Sequence, residues 1–382
     1  MTGRLLLWWL RLRVMTAKEL IQLGRDPLLL IIIAWFFTAD VYLAGSGISM
    51  ELKHAPLVVV DLDHSAASRE LIHKFREPHF RLLGEVAHPV EGQRMLDSGE
   101  AMLLLEIPPG FQRDIHRGLQ ATAQLRIDTS NTILGTLAAA YSAQIVEAYA
   151  LELAERRFGT GRLLERAPVI DDRRRVWYNP NQTETWFMSI SELLTVITLL
   201  SLMLPAAAAV REKERGTIQQ LIVSPLTPAQ VMLPKVVAMT LAILAGTAGS
   251  LFLILLPVFQ VPVKGSLPLF FLVTAEYVFA TAGLGLFIAT LARNLGQVTL
   301  LVVLVMMPML LLSGAWTPPE AMPEALRMVM PITPLYHFIE MGYAILLKGA
   351  GVDILWDSML ALALIGLALF LFGAWRFRRQ LG

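Results

Sequence analysis

The sequence predicts an α-helical polytopic membrane protein with six transmembrane helices and an extracytoplasmic α/β domain inserted between helices 1 and 2. Three observations lead there. The 382 residues are 55% hydrophobic and only 16% charged, with mean hydropathy +0.58, whereas a soluble globular domain carries roughly 25% charged residues. The charge is unevenly spread: residues 51–180 hold 16 Lys/Arg and 18 Asp/Glu, and the other 252 positions hold 29 charges. Six stretches are apolar over the ~20 residues that a bilayer-crossing helix needs.

In chain order, residues 1–26 read as an interfacial helix. Within Leu5–Leu23 the cations Arg11, Arg13 and Lys18 alternate with Leu and Trp, the pattern of a helix lying in a membrane surface. Residues 27–49 form the first span, Leu28–Ile48, broken only by Asp40. Pro27 suits its first turn, where a missing N–H costs nothing. This stretch is longer than a signal-peptide core and lacks a small-residue cleavage site, so no cleaved leader is expected. The later spans are Trp186–Val210, about Val231–Val258, Leu269–Ala292 with Glu276 inside it, Val298–Ala315, and about Ile354–Trp375 with Asp357 inside it. An even number of crossings puts both termini on one side.

Lys/Arg counting selects that side. The N-terminal segment, the loops after spans two and four, and the C-terminal tail carry thirteen Lys/Arg against four acids. They are expected in the cytoplasm, with residues 50–182 on the other side of the membrane. In that insert, the β-branched run Ala55–Asp61 reads as a strand, as do Phe80–Val86, Ala101–Ile107 and Ala123–Asp128. Helices are expected near 65–75, 90–97 and 131–158, giving a small α/β domain.

Two patterns there resemble chemistry. Asp61-Leu-Asp63-His64 fits a metal-holding Asp-x-Asp and equally a strand end followed by a helix cap, the simpler reading. Asn181-Gln-Thr183 fits a glycosylation sequon, and Asn181 with Glu184 fits a helix cap. Between spans five and six, Ala321–Met330 and Leu335–Leu347 are apolar but too short to cross and are punctuated by prolines, which predicts re-entrant helices over 319–348.

The loop after span two is the most informative segment. It reads Arg211-Glu212-Lys213-Glu214-Arg215-Gly216-Thr217-Ile-Gln219-Gln220-Leu221-Ile-Val-Ser-Pro225. Thr217 with Gln220 makes a capping box that opens a helix of about two turns, which must stop ahead of Pro225. Thr227 with Pro228 and Gln230 makes a second box that launches span three. A short capped helix with Ile218, Leu221 and Ile222 on one face either lies along the membrane or fits a groove in a partner.

This run closely resembles the signature of ABC type-2 transporter permeases, the membrane subunits of bacterial multidrug and lipid exporters. Lys18-Glu19, Arg25-Asp26-Pro27, Ile107-Pro-Pro-Gly-Phe111, Val176-Trp-Tyr-Asn-Pro180, Ser313-Gly-Ala-Trp-Thr-Pro318 and Lys348-Gly349 match further family segments in order. Relatives often carry Glu where Gln219 stands and Arg near Tyr343. The resemblance implies a coupling helix over 212–225 that receives the motion of a cytoplasmic ABC ATPase. The coupling residues would be Arg211, Glu212, Lys213, Glu214, Arg215, Gly216, Thr217, Gln220, Leu221 and Pro225. It also implies pairing with a second permease subunit, identical or related, and contact with a periplasmic membrane-fusion adaptor. The substrate would be a hydrophobic or amphipathic drug or lipid.

No Gly-x-x-x-x-Gly-Lys-Ser/Thr loop occurs in the chain, so ATP and Mg2+ are expected on the partner, with no cofactor on this subunit. Zero cysteines exclude thiolate metal sites and cysteine nucleophiles, and the net charge of +1 gives no case for nucleic acid. His-Glu-x-x-His and Gly-x-Ser-x-Gly are also absent, so no enzyme is expected. Asp40 and Glu276 are candidate residues of a substrate path, because ionisable groups at membrane depth are costly; Glu192 and Asp357 fit interfacial positions. The competing readings are a proton-coupled secondary transporter using these carboxylates and a membrane-anchored sensor.

Overall fold

The computed structural model describes residues 2–47, 52–130, 132–158, 183–216, 227–315, 319 and 322–381. They fall into two compact units, Met1–Ile48 with Val176–Gly382, and Ser49–Arg175.

The first unit is helical. Helix α1 (Thr2–Gly24) leaves Leu6, Trp9, Leu10 and Val14 uncovered and buries Glu19 and Leu23. Asp26 then caps α2 (Pro27–Gly47), its carboxylate accepting the Leu29 N–H, with Pro27 in the first turn. One turn of α2, Phe36–Asp40, is a π-helix. The unit continues with α7 (Glu184–Glu214), α8 (Pro228–Ser250, prolonged by a π turn to Leu255), α9 (Leu267–Leu291), α10 (Leu295–Leu311) and α13 (Val352–Leu381). Ahead of α13 stand two short helices, α11 (Glu324–Val329) and α12 (Pro334–Tyr343). They occupy part of the proline-punctuated segment 319–348, and neither is long enough to cross a bilayer.

Among the described residues, five helices are long and apolar enough to span a membrane. The stretch expected as span five is helical over 17 residues, Leu295–Leu311, roughly 25 Å at 1.5 Å per residue. It ends where the chain turns at Gly314, whose φ is +81°. Helix α7 is the opposite case. Its 31 residues reach roughly 46 Å, well beyond a hydrocarbon core of about 30 Å. Part of the surplus is its charged last turn.

Helices α7 and α9 are joined in the core by hydroxyls. The Tyr277 hydroxyl donates to Thr198 Oγ1 at 3.0 Å, and Thr281 donates to Ser201 Oγ at 2.8 Å, while the Tyr277 ring stacks on Phe338 at 4.0 Å. Such interhelical bonds suit a lipid environment, where apolar burial alone gives helices little reason to associate.

The second unit holds a four-stranded sheet in the order β2-β1-β3-β4, with β1 (Ala55–Asp61), β2 (Phe80–Glu85), β3 (Leu103–Ile107) and β4 (Gln124–Ile127). Strand β1 runs parallel to both β2 and β3, and β4 closes antiparallel on β3. Parallel neighbours need crossovers, supplied by α3 (Ala66–Lys74) and α4 (Pro89–Asp97). Helices α5 (Phe111–Arg117) and α6 (Thr132–Phe158) complete the unit. Alternation along β1 divides its side chains between two cores: Leu57 and Val59 join Leu103 and Leu105, while Val58 and Val60 join Leu104.

Candidate functional site

The charged end of α7 is a junction. Consecutive helical residues point about 100° apart, so four successive side chains can address different neighbours. Arg211 pairs with Asp26 at the start of α2. Glu212 Oε1 receives Lys235 Nζ of α8 at 2.7 Å and Lys18 Nζ of α1 at 3.1 Å. Lys213 donates to the carbonyl of Ala289 in the last turn of α9. Glu214 accepts the Leu295 N–H at the start of α10 at 3.2 Å. One helical turn is thus tied to five other helices.

The centre of this junction is dry. Lys235 is 2% exposed and Glu19 of α1 is 3% exposed, and they meet at 2.8 Å. Glu19 also receives Lys18 at 3.3 Å. Two lysines and two carboxylates therefore alternate in a closed set, the arrangement that makes a buried charge tolerable. Burial works against the charge on Lys18, but the carboxylates of Glu212 and Glu19 outweigh it and hold its pKa above the ordinary lysine value. At Asp26 the Leu29 N–H acts first and Arg211 adds to it, holding the carboxyl below the ordinary aspartate range.

Arg215 caps the C-terminus of α7, and Gly216 leaves the helix with φ +68°. That left-handed conformation is open to glycine and strained for other residues. Thr217, Gln220, Leu221 and Pro225 lie outside the described residues. The second capping box is present: Thr227 Oγ1 accepts the Gln230 N–H, and the Gln230 side chain accepts the Thr227 N–H.

The membrane carboxylates fall in different places. Half-buried Asp40 closes the π turn of α2 and lies near the Glu192 side chain of α7. Half-buried Glu276 sits in α9 beside Tyr277. Asp357 is exposed on α13 and accepts the N–H of Ser358.

Asp61 and Asp63 are occupied by protein donors. Asp61 accepts the N–H groups of Asp63 and His64 at 3.0 Å each and the Ser68 hydroxyl at 2.6 Å. Asp63 accepts the N–H groups of Gly110 and Gln112 at 2.7 and 3.0 Å, holding the start of α5. No cluster of three or more metal-ligating side chains occurs among the described residues. The Ser65 side chain, then the Gln112 N–H, hold the Asp63 carboxyl below its ordinary value. A depressed folded-state pKa adds stability above the unfolded value of about 3.9 that is lost as pH falls through the folded one. Asp63→Ala should therefore destabilise this unit by about 1–2 kcal/mol at neutral pH. Faster amide exchange across 108–118 would report it, and wild type should approach the variant under acid.

Sequence reasoning reached the charged residues at the end of α7 and missed the pairing with side chains of the other helices. Lys235 entered only as one of thirteen cations, and Glu19 and Asp26 as two of the four acids set against them and through family resemblance. One signal was available: a lysine seven residues into an apolar span-forming segment needs a counter-charge, and α1 carries few acids.

A family model described as ABC-2 family transporter protein matches residues 22–375. The chain is 34% identical over 365 residues to YhhJ, named an inner membrane transport permease, of Escherichia coli strain K12, covering 96% of each chain. It is 33% identical over 359 residues to YbhR, named a probable multidrug ABC transporter permease, of the same strain, covering 93% of this chain and 95% of that one. Against YbhS, which carries the same description, it is 26% identical over 351 residues, 90% of each. The chain belongs to the ABC-2 family of transporter proteins.

Proposed function

We propose that this chain is the permease subunit of an ABC exporter of the bacterial inner membrane, driven by a separate cytoplasmic ATPase that carries ATP and Mg2+. It would move a hydrophobic or amphipathic drug or lipid out of the cytoplasm or the inner leaflet. Six spans are read here, with α10 as the fifth, both termini in the cytoplasm, and the sheet-bearing unit of residues 50–182 on the periplasmic side. Segment 319–348 is read as re-entrant. The names of the relatives support the inner-membrane and multidrug parts of this reading, and the Lys/Arg asymmetry supports the orientation.

The observation that carries the proposal is the junction. Any force applied to residues 217–225 arrives at Gly216 and the last turn of α7, where Arg211, Glu212, Lys213 and Glu214 hold α1, α2, α8, α9 and α10. Closure of the ATPase would therefore tilt several spans together and alter the path between this chain and a second permease subunit, while the periplasmic unit is free to meet an adaptor.

Combining Gly216→Pro with Leu221→Asp should abolish co-purification with the ATPase and ATP-stimulated transport while leaving the purified permease folded. Unchanged complex formation and transport would sink the coupling role. The Asp40–Glu192 carboxyl pair is what a proton-coupled carrier would use. Transport that survives ATP depletion and collapses with the proton gradient would decide for that reading.

A further inference from the structure

Between α9 and α10 the chain turns in three residues, Ala292, Arg293 and Asn294. Local chemistry holds this turn in one shape. Asn294 caps α10, its side chain accepting the Gln297 N–H at 2.9 Å. Gln297 reaches back and accepts the Arg293 N–H at 2.8 Å, so the two side chains close the turn reciprocally, in the manner of a capping box. Ala292 is buried, and its N–H bonds to the Ile288 carbonyl at 3.0 Å. The end of α7 adds a second constraint. Lys213 donates to the Ala289 carbonyl just ahead of the turn, and Glu214 accepts the Leu295 N–H at 3.2 Å just behind it. A cation at the carbonyl end of one helix and a carboxylate at the N–H end of the next are each favoured by the helix dipoles.

This grip sets the turn beside the start of the segment that follows Gly216, and it leaves one charge outside. The Arg293 backbone is fixed by Gln297, but the residue is exposed and its guanidinium has no ion pair or hydrogen bond among the described residues. Arg215, next in the chain to Glu214, is exposed as well. Cations that serve a lipid surface stand among exposed apolar anchors. From Ala292 to Val298 no large apolar side chain is exposed; the exposed residues are Arg293, Asn294, Gly296 and Gln297. A polar, cationic tip on a preformed backbone suits a protein partner, because little ordering is left to oppose association. An arginine so presented is matched by a carboxylate, the acceptor that its planar fork fits.

We propose that the α9–α10 turn is a second docking point for the cytoplasmic ATPase, with Arg293 meeting a carboxylate-bearing patch of that partner. The proposal rests on the coupling role assigned above to residues 212–225 and adds a separate path. Force applied at Arg293 reaches α9 and α10 without passing through 217–225, and the Glu214–Leu295 contact keeps the two docking points in step.

The chain has no cysteine, so single-cysteine variants each carry one label. Gly296→Cys retains Arg293, and a Cβ there meets only the Asn294 side chain, at 3.4 Å. Leu221→Cys reports the first docking point, and Val352→Cys, exposed at the start of α13, is the remote control. Each variant is labelled with benzophenone maleimide and irradiated in complex with the ATPase that co-purifies with wild type, in nanodiscs of phosphatidylcholine and phosphatidylglycerol. Positions 296 and 221 should crosslink to the ATPase and position 352 should not. In the otherwise unchanged chain, Arg293→Gln should weaken ATPase association about two- to fivefold at low ionic strength, the range of one exposed ion pair. That difference should vanish near 1 M salt, where the screening length is about 3 Å, and the melt of the permease should not move. Crosslinking from 221 without crosslinking from 296 would overturn this proposal and leave the first docking point standing, whereas failure at both would remove both. Crosslinks from 296 to phosphatidylglycerol in place of the ATPase would assign the turn to the lipid surface and overturn it, as would an Arg293→Gln affinity equal to wild type at low salt.

Discussion

Lys235→Met should be the most damaging single charge deletion at the junction, costing about 3–5 kcal/mol. The side chain is almost fully enclosed and touches Glu19 at 2.8 Å and Glu212 at 2.7 Å. Met preserves the length and apolar stem of lysine, so the loss isolates the charge. Two carboxylates remain, with Lys18 as their shared cation at 3.3 and 3.1 Å, and Glu19, 3% exposed, is too enclosed for bulk solvent to replace the missing ammonium. The thermal melt of the detergent-purified protein should drop by many degrees. The triple variant Lys235→Met, Glu19→Gln, Glu212→Gln removes the stranded charges and should recover most of the loss, because a buried ion set can be exchanged for neutral groups at little cost. A single variant melting within about a degree of wild type would show that the set is hydrated and contributes as little as a surface pair.

The contrast with Arg211 and Asp26 sharpens this. Their side chains are 29% and 26% exposed, so solvent screens them, and Arg211→Ala should cost about 1 kcal/mol or less. The same contrast separates stability from coupling. Loss at Lys235 should appear in the melt, whereas loss at Arg211 should appear in ATP-stimulated transport with the melt nearly unchanged.

Helices and strands were legible because their causes are local. Hydropathy over twenty residues and β-branched runs such as Ala55–Asp61 are properties of one segment, and the helices and strand β1 lie where those patterns predict. The helix over Leu295–Leu311 is shorter than its apolar run because the chain turns at Gly314, and apolar composition does not encode where a helix stops. The partners of the charged run were not legible. Arg211 reaches 185 positions back to Asp26, and Lys235 reaches 216 back to Glu19. Which face of α1 meets α8 is decided by packing. Asp63 shows the same limit at shorter range: a cap was readable, but the helix it holds begins 47 residues downstream, at Gly110.

Gly283→Leu should prevent assembly of the helical unit, and the reason is backbone proximity rather than charge. A Cβ at Gly283 would stand 2.7 Å from the Phe370 nitrogen and 2.8 Å from the Leu369 carbonyl carbon, distances that no rotamer relieves because the obstacles are main chain. The approach is mutual: a Cβ at Gly373 would stand 2.6 Å from the Gly283 carbonyl oxygen, and one at Gly366 would meet the Ala280 Cβ at 2.6 Å. Small residues thus face one another across α9 and α13, the device by which helices in lipid gain dispersion contact without an apolar driving force. Separating them for a leucine side chain would also lift Phe279 from Phe370, whose rings stack at 5.0 Å, so the cost should exceed the 1–3 kcal/mol of ordinary overpacking. Size-exclusion profiles of fluorescent fusions should show Gly283→Leu aggregated and Gly283→Ala partly so. Gly249→Leu should run as wild type, since nothing lies within 4 Å of a Cβ at that position. Equal profiles for Leu at 283 and 249 would mean that α9 and α13 are free to part, and the tilting proposed for transport would then have to run along that interface instead of around it.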